Sequence, residues 1–82
     1  MNAAVDPDGT LDARGVLCPE PVMMLHNRVR DMSPGQELLV LATDPSTQRD
    51  IARFCEFLGH ALLESVDVGG EFRFRIRKKP AA

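Results

Sequence analysis

Residues 71–78 read Glu71-Phe72-Arg73-Phe74-Arg75-Ile76-Arg77-Lys78, the cleanest alternation in the chain. Phe72, Phe74 and Ile76 fall on one face, and Arg73, Arg75 and Arg77 on the other. A period of two belongs to a strand with one side buried and one side solvated. Just before it, Gly69-Gly70 is a two-residue hairpin signal, so Ala61 to Val68 becomes the preceding strand. Further back, Gln36 to Thr43 contains Leu38-Leu39-Val40-Leu41, a short apolar run bounded by turns, as a central strand requires. Thr10 to Arg14 adds a short strand with Leu11 and Ala13 on one face and Asp12 and Arg14 on the other. Gly15 breaks it.

Two helices fill the intervals. Cys18-Pro19-Glu20-Pro21 opens the first, because proline is tolerated in a first turn where its missing N–H costs nothing. Glu20 places negative charge at the positive end of the helix dipole. Val22, Leu25, Val29 and Met32 then recur along one face, and Ser33-Pro34-Gly35 ends the helix. Asp44-Pro45-Ser46-Thr47 opens the second helix, with Asp44 expected as N-cap and Pro45 near the first helical position. Its buried stripe is Ile51, Phe54, Cys55 and Leu58, and Gly59 stops it. The order predicts an α/β (α+β) fold. It is a two-layer βαβαββ sandwich, a mixed four-stranded sheet with right-handed crossovers and two helices on one face. The expected organisation is a single domain over 10–79, a flexible N-terminal tail over 1–9 and a C-terminal tail over 80–82.

The composition agrees. The chain has 82 residues, 44% hydrophobic and 27% charged, with a net charge of −2. That allows one compact core and excludes both an acidic disordered tail and a protein held to nucleic acid by bulk positive charge. There is no Trp or Tyr and only four Phe, so a base-stacking platform is poorly supplied. No apolar run approaches the roughly 20 residues of a membrane span. Met1 to Gly9 lacks the basic start and apolar stretch of a signal peptide. The expected location is therefore cytoplasmic, where a disulfide between Cys18 and Cys55 is disfavoured. Two Cys and two His at scattered spacings make a poor zinc site.

Cys18 is the main candidate for chemistry. It precedes Pro19 at or beside the first helix N-cap, where unpaired amides and the dipole are expected to stabilise a thiolate and depress its pKa. A persulfide anion would gain likewise. The bland alternative is a small buried residue at a helix start. His26 lies eight residues along the same helix, roughly 12 Å by rise, out of reach of Cys18. His60 has no assigned place. A Cys–His hydrolase is thus weakly supported, and an activated thiol without a base suits a carrier. Cys55 reads as a packed core residue, with a resolving thiol as its functional alternative. Arg73, Arg75 and Arg77, continuing into Lys78 and Lys79, are a solvated sheet face or a basic docking stripe. Of Met23 and Met24, one is expected to pack and the other to form an adaptable exposed contact.

The stretch Leu11-Asp12-Ala13-Arg14-Gly15-Val16-Leu17-Cys18-Pro19-Glu20-Pro21-Val22-Met23-Met24 resembles the signature of the TusA (SirA-like) family of sulfur carrier proteins. Ala42 to Ile51, Phe54-Cys55 and Gly59 to Leu63 are similar to that family as well. The likeness runs from about Thr10 to Lys79. It implies the same βαβαββ sandwich. It implies a carrier-type sulfurtransferase in which the Cys of Cys-Pro-x-Pro, here Cys18, takes sulfane sulfur from a cysteine desulfurase as a persulfide. A downstream sulfur-relay protein would receive it, in a relay ending in 2-thiolation of the tRNA wobble uridine. Another acceptor pathway, such as molybdenum cofactor synthesis, is also compatible. The supporting residues expected around Cys18 are Arg14, Pro19, Glu20, Pro21, Met23 and Met24. No metal, organic cofactor or membrane is called for, and direct tRNA contact is compatible but not required. Two rivals stand beside this reading. One is a redox or regulatory module in which Cys55 resolves oxidised Cys18. The other is an RNA-binding module built on the arginine face.

Overall fold

The structure, a computed structural model, describes residues 9–80. It contains β1 (Thr10–Ala13), α1 (Glu20–Arg30), β2 (Glu37–Ala42), α2 (Thr47–Leu58), β3 (Ala61–Val68) and β4 (Glu71–Arg77). The expected order is the observed order. Residues 1–8 and 81–82 of the expected tails lie outside the described residues. Gly9, placed in the tail by sequence, already offers its carbonyl to the Leu39 N–H at 3.3 Å.

The sheet order is β1-β2-β4-β3. β1 and β2 are parallel, and β4 is antiparallel to both β2 and β3. β3 therefore runs in the direction of β2. The α2 crossover skips one position, and β4 returns through the Gly69-Gly70 turn to fill it. Both glycines have positive φ there, 60° and 91°, a conformation that costs glycine no side-chain clash.

The inward face is set by the period of two. Leu11 and Ala13, then Leu38, Val40 and Ala42, then Phe72, Phe74 and Ile76 lie under the helices. Leu25 and Val29 of α1 and Ile51, Phe54 and Cys55 of α2 close the layer from above. Full burial of each large apolar side chain contributes about 1.5–3 kcal/mol. β3 is mostly exposed, as an edge strand, and a register shift between Leu62 and Glu64 blunts it against pairing with another chain.

Two boundaries differ from the sequence expectation. α1 ends at Arg30, before Met32. The Met32 N–H turns to the Val29 carbonyl at 3.1 Å, and the Met32 carbonyl accepts from Lys78 Nζ, so Met32 still reaches the core. Asp44 does not cap α2, whose N-cap is Ser46. An extra turn intervenes, closed by the Thr47 N–H to the Asp44 carbonyl at 2.9 Å, and the Asp44 side chain is free for another task.

Thr47 is buried, and its Oγ1 has no hydrogen-bond partner among the described residues. An unsatisfied buried hydroxyl is a net cost, and an isosteric methyl removes it. Thr47→Val is therefore expected to stabilise the fold by about 1 kcal/mol, raising Tm by roughly 4–8 °C for a chain of this size. A lower Tm would mean that the hydroxyl has a stabilising role.

Candidate thiol site and its groove

Cys18 sits in the loop between β1 and α1, and that loop is fastened to the β2–α2 loop. Gly15, at φ 78°, donates its N–H to Thr43 Oγ1 at 2.8 Å. The Cys18 N–H donates to Asp44 Oδ2 at 2.7 Å. The other Asp44 oxygen accepts from the Ser46 N–H and hydroxyl at 3.0 and 2.9 Å. These bonds hold the Asp44 carboxyl below the usual carboxylate range, the Cys18 amide foremost. The residue expected as a helix cap is thus a clamp that fixes the cysteine backbone.

The thiol itself is exposed and donates from Sγ to Asp50 Oδ2 at 3.1 Å. The expectation that the helix start depresses its pKa is overturned: the thiol is pushed up, chiefly by the bond to Asp50. Ser46 opposes this, while Asp50 and Asp44 add unfavourable charge for a thiolate. The amide cradle is also depleted. Pro19 is the N-cap and Pro21 lies in the first turn, and neither has an N–H. The Glu20 N–H is taken by the Leu17 carbonyl at 3.0 Å.

Beside the thiol runs an apolar groove of about 480 Å³ between α1 and α2. Cys18 and Pro19 stand at one end of the chain positions that line it, followed by Val22 and His26 from α1. Asp50, Arg53, Phe54, Phe57 and Leu58 line it from α2. His26 lines the groove, and its ring stands edge-on to Phe54 at 4.6 Å. Phe57 is 88% exposed, a large apolar area for solvent to cover.

The other candidates are dispersed. Glu20 is exposed in the first turn and Pro21 is buried beneath it. Met24 packs against the core and Met23 is 58% exposed, which divides the pair as expected. Arg14 does not line the groove. It is bound to Asp12 at 2.8 Å and to Glu71 at 3.4 Å, and this holds Asp12 down to about 2.

The open sheet face is not a bare basic stripe. Arg73 pairs with Glu71, Arg75 with Glu37 and Glu64, and Arg77 with Glu37. Arg75 and Arg77 are matched by carboxylates of neighbouring strands and Arg73 by Glu71 of its own strand, which cancels most of the field a phosphate backbone would feel. Cys55 is 2% exposed, and burial pushes its thiol up to about 11. An inaccessible neutral thiol is inert, so the redox reading loses its second partner.

His60 lies after Gly59, the left-handed C-cap of α2, and its Nδ1 accepts the Lys79 N–H at 3.0 Å. Burial, with the charges of Lys79 and Lys78, holds its pKa below 6.5. A histidine whose folded pKa is depressed binds its proton more readily when unfolded, so stability is present above about pH 6.5 and is lost as pH falls below it. His60→Gln is expected to flatten that decline in urea titrations from pH 7 to 5. An unchanged slope would place the acid sensitivity elsewhere.

The sequence singled out Cys18, and it placed Val22, Phe54 and Leu58 on buried helix stripes rather than beside the thiol. Asp50, Arg53, Phe54, Phe57 and Leu58 recur at helical spacing and so share a face, a signal that was available. Cys18, Val22 and His26 recur every four residues and offered a similar one.

The small two-layer α+β fold presents one exposed thiol beside an apolar groove. The family described as "Sulfurtransferase TusA" matches residues 9–78 of this chain. The chain belongs to the TusA family. It is 61% identical over 72 residues to the sulfur carrier protein TusA of Pseudomonas aeruginosa strain PAO1, covering 88% of this chain and 91% of that protein. The sulfur carrier protein TusA of Pseudomonas putida strain KT2440 is 59% identical over 73 residues, covering 89% and 91%.

Proposed function

We propose that this chain carries sulfane sulfur as a persulfide on Cys18, taking it from a cysteine desulfurase and handing it to a downstream sulfur-relay protein. The observation that supports this most is an exposed Sγ at an apolar groove, while Cys55 is sealed in the core. A relay must put its sulfur where another protein's thiol can reach it.

In the loading step Cys18 Sγ attacks the terminal sulfur of the donor's persulfide. A new S–S bond forms to Cys18, the donor's S–S bond breaks, and the donor leaves as a thiolate. The Cys18 proton passes to a base or to water, and no oxidant is consumed. In the delivery step the roles reverse, with Cys18 as the leaving thiolate. Pro19, Glu20 and Pro21 shape the turn that holds Sγ outward. Leu17, Met23 and Phe57 are exposed apolar side chains for a docked partner to cover, excluding water during transfer. Arg14, tied into the sheet-face ion pairs, would add charge at a more distant edge. The relay we infer ends in wobble-uridine 2-thiolation of tRNA in the cytoplasm, with molybdenum cofactor synthesis as the alternative acceptor pathway.

The test is intact mass measurement after incubation with a cysteine desulfurase and cysteine. The expected result is a gain of one sulfur atom that a reductant removes. A mass that does not change with an active donor would sink the proposal.

A further inference from the structure

The carrier reading leaves Asp50 without a role, yet Asp50 accepts a hydrogen bond from the reactive sulfur at 3.1 Å. Several features focus the site on this contact. The Cys18 backbone is clamped by Asp44 from the adjoining loop, so Sγ has little freedom to drift from α2. Asp50 stands in the first turn of α2, with its own N–H donated to the Ser46 carbonyl at 3.1 Å. Pro19 and Pro21 at the start of α1 supply no N–H that could compete for a negative sulfur.

We propose that Asp50 is a positioning residue that holds the unloaded Cys18 sulfur as a hydrogen-donating thiol, so that the empty carrier is shielded from small electrophiles. This rests on Cys18 being the carrier atom and adds to that reading a resting state for it. A carboxylate accepts a hydrogen bond from a thiol and repels a thiolate, so the contact favours the protonated form. The same charge repels the anionic end of a loaded persulfide. It directs the terminal sulfur away from α2 and toward the open side of the site.

The other charged or titratable groups around Sγ are few. Asp44 faces it from the β2–α2 loop and works in the same direction as Asp50. Arg53 and His26 line the groove from α2 and α1, and Glu20 follows two residues along. Asp50 accepts the hydrogen bond from the sulfur, and the Ser46 hydroxyl works against it.

The test is the rate of Cys18 alkylation by iodoacetamide as a function of pH, read by intact mass with Cys55 buried. The wild type, Asp50→Asn and Asp50→Ala are compared, with folding checked by circular dichroism. Both variants are expected to move the midpoint to lower pH and to speed alkylation near pH 7 by roughly three- to tenfold, since the thiolate fraction changes about tenfold per unit of midpoint. A merely structural role for Asp50 would not move the midpoint in a folded variant. The wild type gives a second reading: its midpoint should lie above that of the Cys55→Ser chain unfolded in urea, where Asp50 is remote and Cys18 is the sole thiol. Folded variants with the wild-type midpoint overturn the proposal, as does a wild-type midpoint at or below the unfolded one. Failure of sulfur loading in the wild type would strike the carrier reading instead and leave these midpoints standing.

Discussion

Cys18→Ser is expected to carry no transferred sulfur at all, while Cys55→Ser retains the full load. Serine matches cysteine closely in shape, and Cys18 is exposed, so the substitution should alter stability by no more than about 0.5 kcal/mol. What it removes is the atom. A hydroxyl cannot form the S–S bond on which transfer depends, and its oxygen is a far weaker nucleophile at neutral pH. Cys55→Ser instead places a hydroxyl among Phe54, Ile51 and the sheet, with an expected cost of about 1–3 kcal/mol if it finds no partner. It must be assayed well below its melting temperature. The measurement is the mass before and after a reductant in each variant. Sulfur retained by Cys18→Ser, or lost by folded Cys55→Ser, would reverse the assignment of the site.

The second large effect is on the fold. Phe74 is fully buried at the centre of β4, between Val40 of β2 and Ser65 of β3 in register. Phe74→Ala is expected to cost about 3–5 kcal/mol, from lost burial and from the cavity left behind. A chain of this size has in total about 4–12 kcal/mol. Much of the variant should therefore be unfolded or close to it at 37 °C, with sulfur loading falling in proportion to the folded fraction. Urea titration followed by circular dichroism checks this, and an unchanged m-value would show that the loss is in stability rather than in the denatured state. A loss under about 1 kcal/mol would mean that the core collapses around the gap far better than a packed interior does.

These two residues show unequal legibility. Phe74 was evident from alternation alone, because burial on one side of a strand writes itself into every second residue. The helix stripes were also evident. Leu25, Val29, Ile51, Phe54 and Cys55 are buried where their spacing put them. Cys18 was singled out by its Pro-flanked motif and the family likeness, although the sign of its pKa shift was not legible. That sign depends on Asp50, which is 32 positions away along the chain and 3.1 Å away in space. The arginine face tells the same story. Arg73, Arg75 and Arg77 look like a basic stripe along one strand, yet Glu37 and Glu64 neutralise Arg75 and Arg77 from the strands on either side and Glu71 pairs with Arg73 within the strand.

The chain order of strands and helices and the inward side chains were written locally, in periods of two and of three to four and in the turn residues between them. The groove, the acidic companion of the thiol and the pairing of the sheet-face charges were decided only when α2 folded back over α1 and β4 slid between β2 and β3. Charge and hydrogen-bond effects act over a few ångströms, and which residues come that close is a property of the packed layers rather than of any one segment.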